Sequence, residues 1–159
     1  MKKALLALAL LGASSTAMAD SLVFGGATLG GSEYKGKSSE SYSVYAGTGL
    51  LPILGIEAGI THMGEFDVDG TETTLDTYYA ALRPSIDLGP LQLYAKGGFH
   101  KWEADVDGGS DDDGYDMMYG IGAEYYIFGP ISVGASYTNY TVDDENVDTY
   151  SLSAIFHFL

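Results

Sequence analysis

Apolar residues alternate with small or polar residues over most of this chain, and short turns interrupt the alternation at regular intervals. Two of these turns are Gly-Pro, in IDLGPLQLY (86–94) and YIFGPISV (126–133). Pro90 and Pro130 lie 40 residues apart, and Pro52 lies 38 residues before Pro90. A period of two is typical of β-strands whose faces meet different surroundings, and Gly and Pro favour tight turns. The pattern therefore predicts an all-β chain.

Longer polar and acidic stretches lie midway between the tight turns. We interpret them as loops, which cover residues 31–39, 66–73, 105–114 and 143–146. Between the turns and loops we expect strands over about 21–31, 41–50, 55–62, 77–88, 91–100, 115–127, 131–138 and 150–158. Eight strands with short turns at one end and longer loops at the other are typical of an antiparallel up-and-down barrel.

The polar face of these strands decides between two kinds of barrel. A soluble, lipocalin-like barrel would turn its apolar face inward, whereas a membrane barrel turns that face towards lipid. Here the polar face is mostly Gly, Ser and Thr with few charges, which suits a narrow eight-stranded interior better than a solvated surface. Tyr recurs towards the strand ends, as in interfacial aromatic girdles. We predict an eight-stranded antiparallel transmembrane β-barrel, with the soluble barrel as the alternative.

The first residues are typical of an export signal. Lys2 and Lys3 precede an apolar run over 4–11, and Ala17-Met-Ala19 forms an A-x-A cleavage site before Asp20. The apolar run is too short to cross a bilayer as a helix. We therefore expect a cleaved signal peptide over 1–19 and one barrel domain over 20–159.

Composition excludes several classes of partner and fold. The sequence has a formal net charge of −15, which becomes −17 when Lys2 and Lys3 are removed, so nucleic acid is not an expected partner. There is no cysteine, which excludes a disulfide framework and lipid attachment at the cleavage site.

Four charged residues fall on the polar face and are predicted to form an interior charge network. They are Glu57, Arg83, Lys96 and Glu124. Buried charges need partners, so two acids and two bases are expected to satisfy one another. Asp87, also on this face, is expected to lie near a turn and stay hydrated.

The acidic loops are weak candidates for Ca²⁺ or Mg²⁺ sites. Asp105, Asp107 and Asp111 place oxygen ligands near glycines, although the segment does not complete the EF-hand pattern. The other interpretation is that these loops keep the surface solvated. Divalent cations at the loops would also allow bridging to lipopolysaccharide phosphates.

A catalytic role needs a nucleophile with a base in reach. Of the three histidines, His62 and His100 lie in no such motif, and His157 lies in the last strand at the short-turn end, away from the loops. We therefore predict that the protein is not an enzyme and has no cofactor. Trp102, the single tryptophan, is interpreted as an interfacial anchor.

Several segments resemble the family of small eight-stranded outer-membrane barrels that includes the OmpA membrane domain, OmpX and Ail. These segments are GATLGGSEY (26–34), LQLYAKGGFHKWEAD (91–105) and the alternating end YSLSAIFHFL (150–159). The ending is similar to the terminal strand that the barrel-insertion machinery reads, except that Leu159 follows the aromatic Phe158. The resemblance implies that interior salt bridges plug or gate a narrow lumen, as they do in OmpA-like barrels.

These patterns predict an integral protein of the bacterial outer membrane with a structural or surface-interaction role. That role covers envelope integrity, contact with lipopolysaccharide and outer-membrane lipid, or adhesion. The first alternative is a narrow ion-conducting pore gated by the interior salt bridges. The second is an enzyme that modifies lipid A, since small barrels of that kind exist.

Overall fold

A computed structural model of the chain describes residues 23–68 and 70–158. The predicted signal peptide, 1–19, lies outside the described residues. No described helix is long and apolar enough to cross a membrane.

The described chain forms eight strands in one closed sheet. They are β1 (Val23–Tyr34), β2 (Lys37–Leu51), β3 (Leu54–Val68), β4 (Thr71–Leu88), β5 (Leu91–Val106), β6 (Asp112–Phe128), β7 (Ile131–Val142) and β8 (Glu145–Phe158). Each strand pairs antiparallel with the next, and β8 pairs with β1 over the full length of β1, from Val23↔Phe158 to Tyr34↔Val147. The predicted eight-stranded antiparallel barrel is confirmed. Closure matters because hydrocarbon offers no partner for the N–H and C=O groups of a free edge.

The barrel has two distinct ends. The terminal end contains both ends of the described chain and the turns after β2, β4 and β6. The predicted Gly-Pro turns are found there, and Gly89 and Gly129 adopt positive φ angles of 69° and 53°. Glycine reaches these angles without the steric cost that a side chain imposes. The opposite end, which we call the acidic end, contains the turns after β1, β3, β5 and β7.

The loops predicted at the acidic end are longer than those in the structure. Most of 31–39 and 66–73 lies in strands, and only residues 107–111 separate β5 from β6. Strands of 12 to 18 residues are longer than the roughly 9–11 that cross a bilayer. The sheet therefore continues past the apolar band into a region where polar residues are tolerated on its outer face.

A bulge in β3 makes the extra length of this strand hard to recognise in the sequence. The register between β3 and β4 shifts between His62 and Gly64, and Gly64 has a φ of 104°. The extra residue displaces the inward–outward alternation, so that Thr61, Met63 and Phe66 are all buried. A bulge of this kind interrupts a simple period-two pattern.

The two faces of the sheet point in the predicted directions. Large apolar side chains point outward, and Leu152 and Tyr115 are 70% and 77% exposed. Serine, threonine and the charged residues of the polar face point inward and are buried, including Ser41, Thr77, Arg83 and Glu124. The apolar face is therefore the outer surface of the barrel.

The interior contains two layers. The charged residues Glu57, Arg83, Lys96 and Glu124 lie in the half nearer the terminal end, whereas buried polar side chains such as Ser132 and Thr77 occur in both halves. An apolar layer fills the half nearer the acidic end, with Tyr34, Met63, Phe66, Leu75, Tyr79, Ala81, Trp102, Ala104, Met118, Tyr140, Val142 and Val147. The half nearer the acidic end is thus packed like the core of a soluble protein.

Trp102 belongs to this apolar layer, so its interpretation as an interfacial anchor is wrong. The side chain is only 5% exposed. On β5 it lies two residues from His100 and two from Ala104. Both of those side chains are buried, so all three face inward. The indole N–H donates a hydrogen bond to Asp116 on β6 at 2.9 Å, which satisfies its polar group inside the barrel.

Candidate functional site in the barrel interior

The four charged residues of the polar face lie on four consecutive strands, with Glu57 on β3, Arg83 on β4, Lys96 on β5 and Glu124 on β6. Their inward parity and the stagger of the strands bring their side chains together across the lumen. Arg83 donates to Glu124 at 2.8 Å and lies 3.5 Å from Glu57. Lys96 donates to Glu57 at 3.3 Å. One continuous chain of ion pairs therefore joins Lys96, Glu57, Arg83 and Glu124.

Further hydrogen bonds complete the set of contacts around both carboxylates. The Tyr79 hydroxyl donates to Glu57 at 2.7 Å. His157 Nε2 lies 2.5 Å from Glu124 Oε1, and the Ser132 hydroxyl donates to the same oxygen. Each buried acid thus has both a cation and a neutral partner, as removal from water requires.

Aromatic rings lie against the two cations. The Arg83 guanidinium lies 4.0 Å from the Tyr94 ring centroid and 4.8 Å from that of Phe24. The Lys96 ammonium lies 5.1 Å from the Tyr79 ring centroid. Stacking on ring faces stabilises a desolvated cation, so these rings hold the network in place.

Ser132 and His157 were not included in the predicted network. Both face inward, and His157 was interpreted only as a residue of the last strand near the tight turns. Its inward parity was visible in the sequence. Its contact with Glu124, two strands away, depends on the stagger between strands, which the sequence does not display.

The Ser132–His157–Glu124 cluster does not have the geometry of a catalytic triad. In a triad, histidine contacts the nucleophile with one ring nitrogen and the carboxylate with the other. Here Nε2 contacts both the Ser132 hydroxyl, at 2.8 Å, and the Glu124 carboxylate. The cluster is therefore a set of hydrogen bonds around one acid.

Sequence comparison identifies the family of a chain with this closed, charge-lined barrel. The family model described as "Outer membrane protein beta-barrel domain" matches residues 4–158. The chain belongs to this family. No curated protein sequence matches it.

Solved structures of other outer-membrane barrels have the same fold. Ail of Yersinia pestis, solved in complex with the heparin analogue sucrose octasulfate, is 19% identical with a TM-score of 0.60, covering 86% of this chain and 96% of Ail. Neisserial surface protein A is 20% identical with a TM-score of 0.66, covering 86% and 96%. OprG from Pseudomonas aeruginosa is 11% identical with a TM-score of 0.63, covering 89% and 98%. The protein is therefore an outer-membrane β-barrel of this general type.

The other two histidines of this outer-membrane barrel lie on opposite faces of the sheet. His62 is on the outer face, where Nδ1 lies 2.7 Å from Asp76 and the ring packs on Tyr42. His100 is buried inside, and its nitrogens contact the Thr77 hydroxyl at 2.6 Å and the Thr141 carbonyl at 2.8 Å. The structure does not bring them together.

The weak metal candidates are likewise not assembled into a site. Asp105 lies in β5, whereas Asp107 and Asp111 lie in the connection to β6. Among residues 23–68 and 70–158, no group of three histidine or carboxylate side chains is arranged to hold a metal ion. Asp87, near the Gly-Pro turn, accepts a hydrogen bond from Gln92 at 3.0 Å.

Proposed function

We propose that this outer-membrane barrel has a structural and surface-interaction role in the envelope, and that it is neither an open pore nor an enzyme. The two-layered interior carries this proposal. The charge network and the apolar layer stand one above the other in the lumen, so a permeating ion would have to break buried ion pairs and then cross a region lined by aromatic and aliphatic side chains. A closed lumen supports a role at the outer surface of the barrel rather than transport through it.

The distribution of charge supports an orientation for the barrel. Most of the acidic residues lie in the half next to the acidic end, whereas the terminal end has the tight turns. Barrels of the outer membrane keep short turns on the periplasmic side. We infer that the acidic end faces the outside of the cell and that the terminal end, with Phe158 in its last strand, is what the insertion machinery engages during assembly.

Lipopolysaccharide and outer-membrane lipid are the partners that this surface fits best. An acidic rim repels phosphate-rich head groups unless divalent cations bridge the two, so Mg²⁺ or Ca²⁺ would connect the barrel to its leaflet. The same charge disfavours a sulfated sugar such as the heparin analogue in the Ail complex. We therefore expect this chain not to bind heparin analogues.

The role is tested in the native bacterium by deleting the gene and measuring uptake of a hydrophobic dye at low and high Mg²⁺. A structural role predicts increased uptake in the deletion strain, most strongly at low Mg²⁺, and restoration by the wild-type gene. Uptake equal to that of the wild type at both concentrations would contradict an envelope role.

Planar-bilayer recording of the purified barrel distinguishes the proposed role from the pore alternative. The proposal predicts no steady unitary openings for the wild type. Steady openings that Arg83→Ala abolishes or changes would establish the pore instead.

The enzyme alternative is tested by the mass spectrum of lipid A on overexpression, which is expected to stay unchanged.

A further inference from the structure

Every strand contributes one side chain to a connected layer across the lumen. The Phe24 ring of β1 contacts the rings of Tyr45 on β2 and His157 on β8, with centroids 6.4 and 6.2 Å apart. His157 in turn contacts the Ser132 hydroxyl of β7 at 2.8 Å. These contacts join the ion pairs of the charge network. We call the layer the septum, and it consists of Phe24, Tyr45, Glu57, Arg83, Tyr94, Glu124, Ser132 and His157.

Arg83 is held in the septum by two aromatic rings that come from opposite walls of the barrel. Phe24 is on β1 and Tyr94 is on β5, and these strands are four apart in either direction around the closed sheet. Their ring centroids lie 4.8 and 4.0 Å from the guanidinium. A guanidinium that has lost its water is stabilised by contact with ring faces. The positions of the two rings therefore determine the surroundings of the central cation.

Each of these two rings lies against a glycine on a neighbouring strand. Tyr94 is opposite Gly122 in the ladder between β5 and β6, and Phe24 is opposite Gly47 in the ladder between β1 and β2. A Cβ atom at Gly122 would overlap the Tyr94 ring, and one at Gly47 would overlap the Phe24 ring. Glycine weakens a strand interior, and it often marks a place where another group approaches the backbone closely. Here the approaching groups are the rings that contact Arg83.

The ring that contacts the second buried cation has the same arrangement. Tyr79, whose ring centroid lies 5.1 Å from the Lys96 ammonium, is opposite Gly59 in the ladder between β3 and β4. A Cβ atom at Gly59 would lie 2.9 Å from the Tyr79 ring. The three rings that contact Arg83 or Lys96 thus each lie against a glycine that is their direct partner in the sheet. This repetition links the inward-facing glycines to the charge network.

We propose that Gly122 and Gly47 are positioning residues of the charge network, which hold Tyr94 and Phe24 against the Arg83 guanidinium and so keep the septum closed. A side chain at either position displaces the ring, and the guanidinium then loses one of its two ring contacts. Gly122 isolates this effect, because the three atoms nearest to its Cβ position all belong to the Tyr94 side chain. The inference depends on the barrel fold and not on the surface role proposed above.

Nuclear magnetic resonance of the mature chain in lipid nanodiscs tests this role. Arg83 is the single arginine of the sequence, so isotope labelling of arginine alone gives one guanidinium Nε–H signal, which the ring currents of Tyr94 and Phe24 displace. Gly122→Ala is expected to shift this signal in the same direction as Tyr94→Ala does. Gly97→Ala is the matched control, because a Cβ atom there would meet only the Met118 carbonyl at 4.0 Å, and it should leave the signal in place.

The double variant Gly122→Ala/Tyr94→Ala separates positioning from a general effect on the strand. With the ring absent, the change at Gly122 should cause no further shift of the Arg83 signal, so the two effects should be strongly non-additive. If Gly122→Ala alone does not fold, the double variant should fold, because the ring in the way of the new methyl group is gone. An Arg83 signal that Gly122→Ala leaves unchanged, an equal shift in both backgrounds, or failure of both variants to fold would overturn the proposal.

Discussion

The guanidinium of Arg83 on β4 lies 2.8 Å from the Glu124 carboxylate on β6, so this ion pair reaches past the strand between them. The same guanidinium lies 3.5 Å from Glu57 on β3. One arginine therefore serves two acids, and both of those acids are almost completely buried. Arg83 is the central residue of the interior network.

Removing Arg83 is expected to destabilise the barrel strongly. Arg83→Met leaves Glu57 and Glu124 with less compensation in a buried site, which typically costs about 3–5 kcal/mol. The free energy of unfolding can be measured by urea titration in lipid vesicles. Lys101→Met is the matched control, because its pair with Glu103 at 2.6 Å is partly exposed and ion pairs at the surface contribute little to stability. Equal losses for the two variants would show that the Arg83 pairs are not effectively buried.

Lys96 and Glu57 are expected to show coupled effects. Lys96→Met leaves an acid without its second cation, and Glu57→Gln leaves a buried ammonium without its acid. The double variant removes both charges, so it should be less destabilised than the sum of the single variants by about 0.5–3 kcal/mol. The same urea titrations measure the cycle. Additive effects would mean that the 3.3 Å contact carries no net interaction.

The packing of Trp102 predicts a graded loss of stability. Trp102→Phe keeps most of the packing but loses the hydrogen bond to Asp116, which should cost about 1 kcal/mol. Trp102→Ala also leaves a cavity in the apolar layer and should cost about 3–5 kcal/mol. Tyr115→Ala, on the outer face, is the control and should cost less than Trp102→Ala. If the Tyr115 variant loses more, then the apolar layer does not act as a core.

The barrel architecture could be predicted from the sequence because two local signals agree with the global fold. Gly89-Pro90 and Gly129-Pro130 mark hairpin turns through their own backbone preferences. Alternation then assigns inward and outward faces, as at Leu152 and Ser153. Both signals act within a few residues, so they survive without knowledge of the neighbouring strands.

The extent of the strands was harder to predict, for a physical reason. Beyond the apolar band the outer face meets water, so outward residues become polar, and a strand there is acidic enough to resemble a loop. The bulge at Gly64 also displaces the alternation before Phe66. Inward-facing Phe66 and Trp102 were the remaining signal of a continuing sheet.

The membership of the interior network was predictable only in part. Parity places Glu57, Arg83, Lys96 and Glu124 on one face, but contact between side chains also depends on the height of each residue in the barrel. That height follows from the stagger summed around the closed sheet. The contact between His157 and Glu124 depends on this global quantity, which no local pattern contains.

Tryptophan fluorescence in vesicles of acyl-chain-brominated lipid tests most directly whether the apolar face meets lipid. Trp102 is the single tryptophan of the sequence and is 5% exposed, so bromine should barely quench the native protein. A tryptophan introduced by Leu152→Trp in a Trp102→Phe background replaces a side chain that is 70% exposed on the outer face, and it should be strongly quenched. Strong quenching of Trp102 together with weak quenching at position 152 would contradict the inside-out barrel.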